Sequence, residues 1–334
     1  MEIETLKEMD LSVKYMGLNL KNPIIVGSSG LTNSVEKIRD LEQQGAGAVV
    51  LKSLFEEQIA MEQEKSYSQN DFDYPEAMDY MKAYAAEYTY ADFIQLIKGA
   101  KEAVDIPVIA SVNCVSIGKW TEFANKIEEA GADALELNIS LLPSDIEKTS
   151  AQNEKTYFDI IEAVRKQVNI PIALKMSHYS AGLANLIRQL SFTKMVDAFV
   201  LFNRYYAPDI NINDFSITSA GVLSHPENIS DSLRWVALLS DKIKIPIAAS
   251  TGVHSGEDIV KQILAGATAT QVVSALYKNG TSHIPKMIAE LEAWMQEKNY
   301  NSIEDFKGLI SYDKFDQPEA FERIQFMKYF GGFE

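Results

Sequence analysis

Ile106-Pro107-Val108-Ile109-Ala110 is the first of three similar stretches, followed by Ile170-Pro171-Ile172-Ala173-Leu174 and Ile245-Pro246-Ile247-Ala248-Ala249. Each stretch comes after a segment with the apolar periodicity of an amphipathic helix. Proline ends the connection because its ring cannot continue a helix, and the apolar run after it is typical of a strand buried in a parallel sheet. The repeat therefore predicts strands that alternate with helices.

A second repeat lies between the copies of the first. Gly45-Ala46-Gly47-Ala48, Gly131-Ala132-Asp133-Ala134 and Gly266-Ala267-Thr268-Ala269 each close a helical segment, with glycine as the C-cap and a strand directly after it. Together the two repeats predict eight strands, at 23–27, 48–52, 107–112, 134–139, 171–176, 198–202, 246–250 and 269–274. Helical patterns accompany these strands, for example at 35–44, 120–130, 157–167, 233–240, 256–265 and 284–297.

Eight strands that alternate with helices favour an α/β fold, a closed (β/α)8 TIM barrel with parallel strands and right-handed crossovers. The rival, a doubly wound open sheet, is disfavoured because no Gly-x-Gly-x-x-Gly follows the first strand. Residues 11–20, with Gly17 at a turn, predict an N-terminal hairpin. The aromatic and charged residues 301–334 predict a C-terminal tail packed on the outside. No linker interrupts the sequence, so residues 1–334 are predicted to form a single domain.

The composition excludes several classes of protein. The 334 residues are 46% hydrophobic, carry a formal charge of −16 and include one cysteine. One cysteine excludes an internal disulfide, a cysteine-built zinc site and an iron–sulfur cluster within the chain, and the four histidines lack metal-ligand spacing, so no metal is predicted. The acidic charge argues against nucleic acid as a partner. An acidic N-terminus and apolar runs shorter than ~18 residues predict a cytoplasmic protein with no membrane partner.

Polar residues follow the predicted strands, where a barrel carries its active site. The strand ends are Gly27-Ser28-Ser29, Lys52-Ser53, Asn113, Asn138, Lys175, Asn203, Ser250-Thr251-Gly252 and Ser274-Ala275. Lys52 and Lys175 each directly end an apolar run, which favours a functional role over a solvated charge. Such a lysine can neutralise an anion, stabilise developing negative charge or form a Schiff base. Cys114 is interpreted as a small buried residue. The aromatic stretch 74–90 is interpreted as packing or as a lid over a flat ligand.

Small residues after the last two predicted strands indicate a phosphate site. Ser250-Thr251-Gly252-Val253 precedes a helix that starts near Gly256, and Val273-Ser274-Ala275-Leu276 ends the eighth strand. Small side chains let backbone N–H groups approach an anion, and a helix start adds a favourable dipole. Phosphate groups in barrels commonly bind after strands seven and eight.

Six segments, taken in this order, resemble the dihydroorotate dehydrogenase family: Asn22-Pro23-Ile24-Ile25, Lys52-Ser53, Leu137-Asn138-Ile139-Ser140, Ala173-Leu174-Lys175-Met176, Thr251-Gly252-Val253-His254-Ser255-Gly256-Glu257-Asp258 and Leu264-Ala265-Gly266-Ala267 through Gln271-Val272-Val273-Ser274-Ala275-Leu276. The family consists of FMN-dependent (β/α)8 enzymes of pyrimidine biosynthesis. The resemblance covers about residues 12–310.

The resemblance implies a cofactor, a substrate and their contacts. It implies that FMN is bound by Gly27, Ser28, Ser29, Lys52, Ser53, Asn113, Asn138, Lys175, Thr251, Gly252, Ser274 and Ala275. Dihydroorotate is expected to contact Lys52, Asn138 and Asn203. Lys52 is expected to act in catalysis by favouring the substrate carboxylate and the electron-rich reduced flavin. A homodimer is also implied.

The sequence departs from the family where the proton-abstracting base is expected. Leu141 follows Ser140, whereas family members have a cysteine there or use a serine elsewhere on the loop. Leucine cannot accept a proton, so Ser140 becomes a candidate catalytic residue, with Ser144 and Ser177 as alternatives. Each serine needs activation, because a free hydroxyl is a poor base near neutral pH. The loop 219–224 also lacks the family's double glycine, and Arg204 follows Asn203.

The activity implied is the oxidation of (S)-dihydroorotate to orotate. A base removes a proton from C5, and a hydride leaves C6. Three alternatives stay open at this point: a flavin enzyme of the same fold that acts on another cyclic amide or enone, a Schiff-base barrel lyase or isomerase that uses Lys52 or Lys175, and a non-catalytic flavin- or ligand-binding relative.

Overall fold

The structure is a computed structural model that describes residues 9–57, 89–118, 121–205, 207–219 and 221–322. The chain divides into two compact units. The central unit comprises Val26–Gln43 and Ala48–Asp197, and the terminal unit comprises Met1–Ile25, Gln44–Gly47 and Ala198–Glu334. The aromatic stretch 74–90 lies outside the described residues except at its last two positions, and the tail is described as far as residue 322.

Parallel strands and helices alternate in the central unit. Its strands are Ala48–Val50 with the short continuation Leu54–Phe55, then Val108–Cys114, Ala134–Ile139 and Ile172–Met176. They pair in parallel in that order, as their apolar sequences on both faces require. The described helices are Val35–Gln43, Tyr90–Ala103, Thr121–Glu129, Ser150–Arg165 and Leu183–Phe192.

Two aspartates, Asp133 of the second sequence repeat and Asp197, hold the starts of buried strands. Asp133 Oδ2 accepts a hydrogen bond from the backbone N–H of Val108 at 2.7 Å, and it forms an ion pair with Lys101 Nζ at 2.7 Å. Asp197 Oδ2 accepts from the backbone N–H of Ile172 at 2.8 Å. Each carboxylate satisfies a backbone donor at the start of a buried strand, where an unpaired N–H would be costly. The Gly131-Ala132-Asp133-Ala134 copy of the repeat therefore holds the start of a strand as well as ending a helix.

The terminal unit repeats the same alternation. Ile247–Ser250 pairs in parallel with Ala198–Leu201 and with Ala269–Val272. The strand Ile24–Val26 begins next to the last strand, since the Thr270 N–H donates to the Pro23 carbonyl at 2.8 Å. The described helices are Ile229–Leu239, Gly256–Ala265, Ser274–Asn279 and His283–Lys298.

The two ends of the chain have the structures that the sequence predicts. Val13–Tyr15 and Leu18–Leu20 form an antiparallel hairpin, with Gly17 at a positive φ of 85° in its turn. The tail packs on the terminal unit's helices, because the N–H of Gly308 donates to the Ile263 carbonyl and that of Tyr312 to the Ala237 carbonyl. The tail prediction is confirmed for the residues described.

The predicted (β/α)8 fold class is confirmed. Along the described chain, eight parallel strand positions alternate with helices, and the observed strand bounds lie within two residues of those predicted. The largest difference is the helix Ser150–Arg165, which begins seven residues before the predicted start at 157, because Thr149 and Gln152 form a capping box. The antiparallel hairpin Pro208–Ile210 with Ile217–Ser219 was not predicted. None of the described helices is both long and apolar enough to cross a membrane.

Candidate active site

Three predicted strand-end residues of the central unit lie side by side. Asn113 is the register partner of Asn138, and Asn138 is the register partner of Lys175, on three consecutive parallel strands. Side chains at paired positions of neighbouring strands share one face of the sheet. The structure therefore brings two amides and one ammonium group together at the same level, as their positions in the sequence predict.

A buried carboxylate holds the ammonium group of Lys175. Glu136 Oε1 lies 3.5 Å from Lys175 Nζ, and the two side chains are 1% and 10% exposed. A charge so deeply buried requires a partner of opposite sign. Sequence reasoning missed Glu136, although its spacing of two residues from Asn138 on one strand puts both side chains on one face. The lysine is thus fixed at the strand end.

A chain of three serine hydroxyls stands beside this row. Ser53 Oγ lies 2.9 Å from Ser28 Oγ and 2.7 Å from Ser111 Oγ, and the Ser53 N–H donates to Ser28 Oγ at 2.8 Å. The N–H of the half-buried Lys52 donates to the Thr32 carbonyl at 3.3 Å. The loop after the first strand is therefore tied to Lys52-Ser53. Ser111 was also missed, and again it lies two residues before a predicted residue, Asn113.

The amide oxygen of Asn138 is the strongest sign of a ligand site in the central unit. Asn138 is 8% exposed, and its buried Oδ1 has no hydrogen-bond partner within the described part of the chain. Buried acceptors are nearly always paired, so an orphaned one at a strand end calls for an explanation. A bound ligand with an N–H or O–H donor would satisfy it.

Ser140 is held by the neighbouring strand. Asn113 Nδ2 donates to Ser140 Oγ at 3.3 Å, and the Ser140 N–H donates to the Cys114 carbonyl at 3.3 Å. Ser177, the alternative base, instead donates its hydroxyl to the Leu141 carbonyl at 3.2 Å. Ser144 is exposed. The structure therefore favours Ser140 over the other two serines as a group at the site.

Cys114 is a structural residue, as the sequence suggests. It is 1% exposed, and burial, followed by the charges of Glu56 and Glu57, raises the pKa of its thiol well above the usual value. A thiol in such surroundings stays protonated near neutral pH and is inert. Cys114 therefore cannot act as the proton-abstracting base in place of the cysteine that is missing at position 141.

The predicted phosphate residues of the terminal unit lie where backbone segments approach closely. Thr251 and Gly252 have positive φ angles of 78° and 83°. A Cβ atom on Gly252 would lie 2.1 Å from the backbone nitrogen of Ile229, the first residue of a helix. Only glycine fits there. Thr251 Oγ1 donates to the carbonyl of Phe202 at 3.3 Å, which ties the loop to the residue before Asn203.

Sequence reasoning missed a group that we call the Ser224 cluster: Ser224, His254, Ser274 and Lys278. The Ser224 N–H donates to Ser274 Oγ at 2.9 Å, Ser224 Oγ lies 3.1 Å from His254 Nε2, and Lys278 Nζ donates to the Ser224 carbonyl at 2.7 Å. The cluster joins the loop 221–225 to both predicted phosphate segments. Because its members are far apart in sequence, only the predicted phosphate role of Ser274 pointed to it.

The Gly252→Ala variant is expected to be severely destabilised. A side chain at positive φ costs roughly 1–2 kcal/mol, and overpacking against the backbone of Ile229 adds about 1–3 kcal/mol. Gly17→Ala is the matched control, because Gly17 has a φ of 85° but nothing within 4 Å of an added Cβ. Urea unfolding should show a larger loss for Gly252→Ala. Equal losses in the two variants would contradict the close approach.

Comparison with known proteins identifies the class to which this fold and site belong. The family model described as dihydroorotate dehydrogenase matches residues 10–295. The chain belongs to the dihydroorotate dehydrogenase family, a family of oxidoreductases.

Similar curated proteins carry a more specific name. "Dihydroorotate dehydrogenase B (NAD(+)), catalytic subunit" of Thermoplasma acidophilum is 29% identical over 311 residues, covering 90% of this chain and 98% of that protein. The proteins of the same name from Methanosarcina mazei and Pyrococcus furiosus are 29% and 26% identical, covering 91% and 90% of this chain and 96% and 99% of theirs. The resemblance found in the sequence is thereby confirmed.

Proposed function

We propose that the protein oxidises (S)-dihydroorotate to orotate with bound FMN, as a step of pyrimidine biosynthesis. Family membership and the names of the relatives support this reaction. The observation that carries it is the row formed by Asn113, Asn138 and Lys175, in which the buried amide oxygen of Asn138 has no hydrogen-bond partner in the part of the chain that the structure describes. We further propose that residues 1–334 form one functional FMN-binding domain.

The residues present fit FMN in two separate places. Gly27 and a set of polar side chains at strand ends of the central unit suit the flavin ring; the polar residues are Ser28, Ser29, Lys52, Ser53, Asn113, Asn138 and Lys175. Thr251, Gly252, Ser274 and Ala275 of the terminal unit suit the phosphate, since small side chains and positive φ expose backbone N–H groups. When bound, FMN supplies an acceptor for the hydride that the substrate loses.

The substrate is a flat ring with amide groups and a carboxylate. We propose that the free acceptor of Asn138 receives a ring N–H, because this pairing removes the cost of the orphaned oxygen. Lys52 attracts the carboxylate and stabilises negative charge that develops during oxidation. Asn203, in the terminal unit, is proposed as a further substrate ligand.

Ser140 is proposed as the group that accepts the proton from C5. Its oxygen receives a hydrogen bond from Asn113 Nδ2 at 3.3 Å. The amide donor lowers the cost of negative charge on Ser140 Oγ as the hydroxyl passes its own proton to water, and Oγ then takes the proton from C5, so that one proton in total leaves to solvent. Asn113 acts on the reaction only through Ser140 in this role.

The Ser140→Ala variant is expected to lower kcat about 100-fold or more, because a positioned base contributes roughly 10²–10⁴-fold. Adding Leu141→Cys in the Ser140→Ala background should restore part of the lost rate, since it supplies an ionisable thiol one residue further on. Steady-state oxidation of dihydroorotate measures both. The exposed Ser144→Ala variant is the control on the same loop. A Ser140→Ala enzyme with the wild-type rate would remove Ser140 from the mechanism.

The family and its relatives do not support the alternative functions. A Schiff-base lyase or isomerase needs an uncharged amine, whereas Lys175 is ion-paired with the buried Glu136. The proposed reaction is tested by incubating FMN-loaded protein with dihydroorotate and an artificial electron acceptor and quantifying orotate by chromatography. Orotate formation is the expected result. Loaded protein that forms no orotate, yet is reduced by another cyclic amide or enone, would refute the assigned substrate.

The protein is proposed to be cytoplasmic and to act as a homodimer. The hairpin Pro208–Ile210 with Ile217–Ser219 supports self-association, because Ile210, Ile212, Phe215 and Ile217 are 64%, 79%, 84% and 82% exposed. The relatives are named catalytic subunits, which supports a further subunit that takes up the electrons.

A further inference from the structure

We propose that His254 is a positioning residue for the phosphate of FMN: through Ser224 it turns a hydroxyl donor toward the anion, and it takes up a proton when the phosphate dianion binds. The inference rests on the proposed FMN site. It adds residues and a proton linkage that the predicted phosphate contacts, Thr251, Gly252, Ser274 and Ala275, do not include.

Ser224 is fixed on three sides. Its N–H donates to Ser274 Oγ at 2.9 Å, and its carbonyl accepts from Lys278 Nζ at 2.7 Å. Its hydroxyl is hydrogen-bonded to His254 Nε2. The residue is 5% exposed. With the backbone held in this way, the direction of the hydroxyl hydrogen is the remaining freedom of Ser224.

The protonation of His254 Nε2 decides where the hydroxyl hydrogen of Ser224 points. Ser224 Oγ lies 3.1 Å from His254 Nε2. If Nε2 lacks a proton, Ser224 donates to the ring and presents only lone pairs to an anion. If Nε2 carries a proton, Ser224 accepts from the ring and its hydrogen is free to donate. A phosphate needs donors, so its binding favours the state in which Nε2 is protonated.

Charged groups from several elements face His254. Lys278 comes from the helix Ser274–Asn279, Asp258 from Gly256–Ala265, His283 from His283–Lys298 and His225 from the loop before Pro226. Burial, followed by the charge of Lys278, lowers the pKa of His254 below its usual value, against a smaller opposing effect of Asp258. The carboxylate of Asp258 also accepts from the backbone N–H of His254 at 2.9 Å, and His283 Nε2 donates to the backbone carbonyl of His254 at 2.8 Å.

The sign of the pH dependence follows from these charges. Without an anion, burial and the charge of Lys278 favour the neutral ring, because they hold the pKa of His254 below its usual value. A phosphate dianion nearby raises the pKa. Binding therefore takes up a proton between the two pKa values, and the affinity for FMN falls as pH rises through this window. The second pKa of a phosphate ester is about 6, so FMN itself stays dianionic above pH 7.

The test is a fluorescence titration of the cofactor-free 334-residue protein with FMN and with riboflavin between about pH 7 and 8.5, where the FMN phosphate stays dianionic. For wild type, the FMN dissociation constant should rise with pH, by at most about tenfold per unit for one proton. Riboflavin has no phosphate, so its affinity should not change with pH. His254→Gln keeps an N–H donor but cannot titrate, so its FMN affinity should be constant. The exposed His178→Gln variant should keep the wild-type slope.

Each result decides the matter. Wild type that binds FMN with no pH slope, or His254→Gln that keeps the wild-type slope, would overturn the role of His254 while leaving the proposed function intact. An equal slope for riboflavin would do the same, because the proton would not be coupled to the phosphate. Unchanged riboflavin affinity in His254→Gln shows that the variant is folded. Wild type that binds neither compound would overturn the proposed function and this inference together.

Discussion

Lys52→Ala is expected to lower kcat/KM for dihydroorotate at least about 100-fold, the loss typical of removing one preorganised group that stabilises developing charge. Lys52 comes directly after the fully buried residues 48–51, which include the strand Ala48–Val50. Its backbone N–H donates to the Thr32 carbonyl, and the N–H of Ser53 donates to Ser28 Oγ. The main chain thus delivers the ammonium group to a fixed place. Steady-state kinetics of the FMN-loaded variant measures the effect.

Two further variants separate charge from position. Lys155→Ala removes an ammonium group that is 68% exposed on the helix Ser150–Arg165, so its rate should equal that of wild type. Lys52→Arg keeps the charge but changes its geometry, so it should recover only part of the activity. A Lys52→Ala enzyme that turns over normally would remove Lys52 from the mechanism.

Asn138→Leu is expected to lower kcat/KM about 100-fold while leaving the protein as stable as wild type or more so. Loss of a hydrogen bond to substrate removes transition-state binding. In the protein alone, however, the substitution removes a buried acceptor that has no partner among the described residues, and an unpaired acceptor costs about 1–3 kcal/mol. Leucine has a similar shape. Activity and the free energy of unfolding should therefore change independently.

Asn22→Leu is the matched control. Asn22 is buried like Asn138, at 4% against 8% exposed, but its Nδ2 donates to the Gly45 carbonyl at 2.7 Å and its Oδ1 accepts from the Ile24 N–H at 3.0 Å. Leucine there leaves the half-buried Gly45 carbonyl and the buried Ile24 N–H without this partner, so a loss of about 1–3 kcal/mol in urea unfolding is expected. If Asn138→Leu destabilised the protein as much as Asn22→Leu, Asn138 would be a structural residue and not a ligand-binding one.

The fold was predictable because its signals are local. The Ile-Pro stretches mark strand starts, the glycine repeats mark helix ends, and both are readable without partners from elsewhere in the chain. The start of a helix is harder to predict where its first turns are polar. The helix Ser150–Arg165 begins with polar residues that lack apolar periodicity, and its start depends on the cap made by Thr149. The hairpin at Pro208–Ile210 and Ile217–Ser219 was missed because both strands are short and exposed.

The candidate site was only partly predictable. Asn113, Asn138 and Lys175 could be named because each ends a strand. Glu136 could not, because its role depends on Lys175 on the neighbouring strand. The Ser224 cluster likewise depends on contacts between residues 30 to 54 positions apart. Such contacts exist only in the folded chain. Sequence patterns therefore predict which residues lie at the strand ends, but not which side chains there contact one another.

The central claim, that this family member binds FMN and oxidises dihydroorotate, is tested most directly by the absorbance spectrum of the purified protein. The sample is recorded before and after anaerobic addition of dihydroorotate. The expected result is a flavin spectrum that the substrate bleaches. A colourless protein that FMN cannot reconstitute, or a flavin spectrum that dihydroorotate leaves unchanged, would contradict the claim.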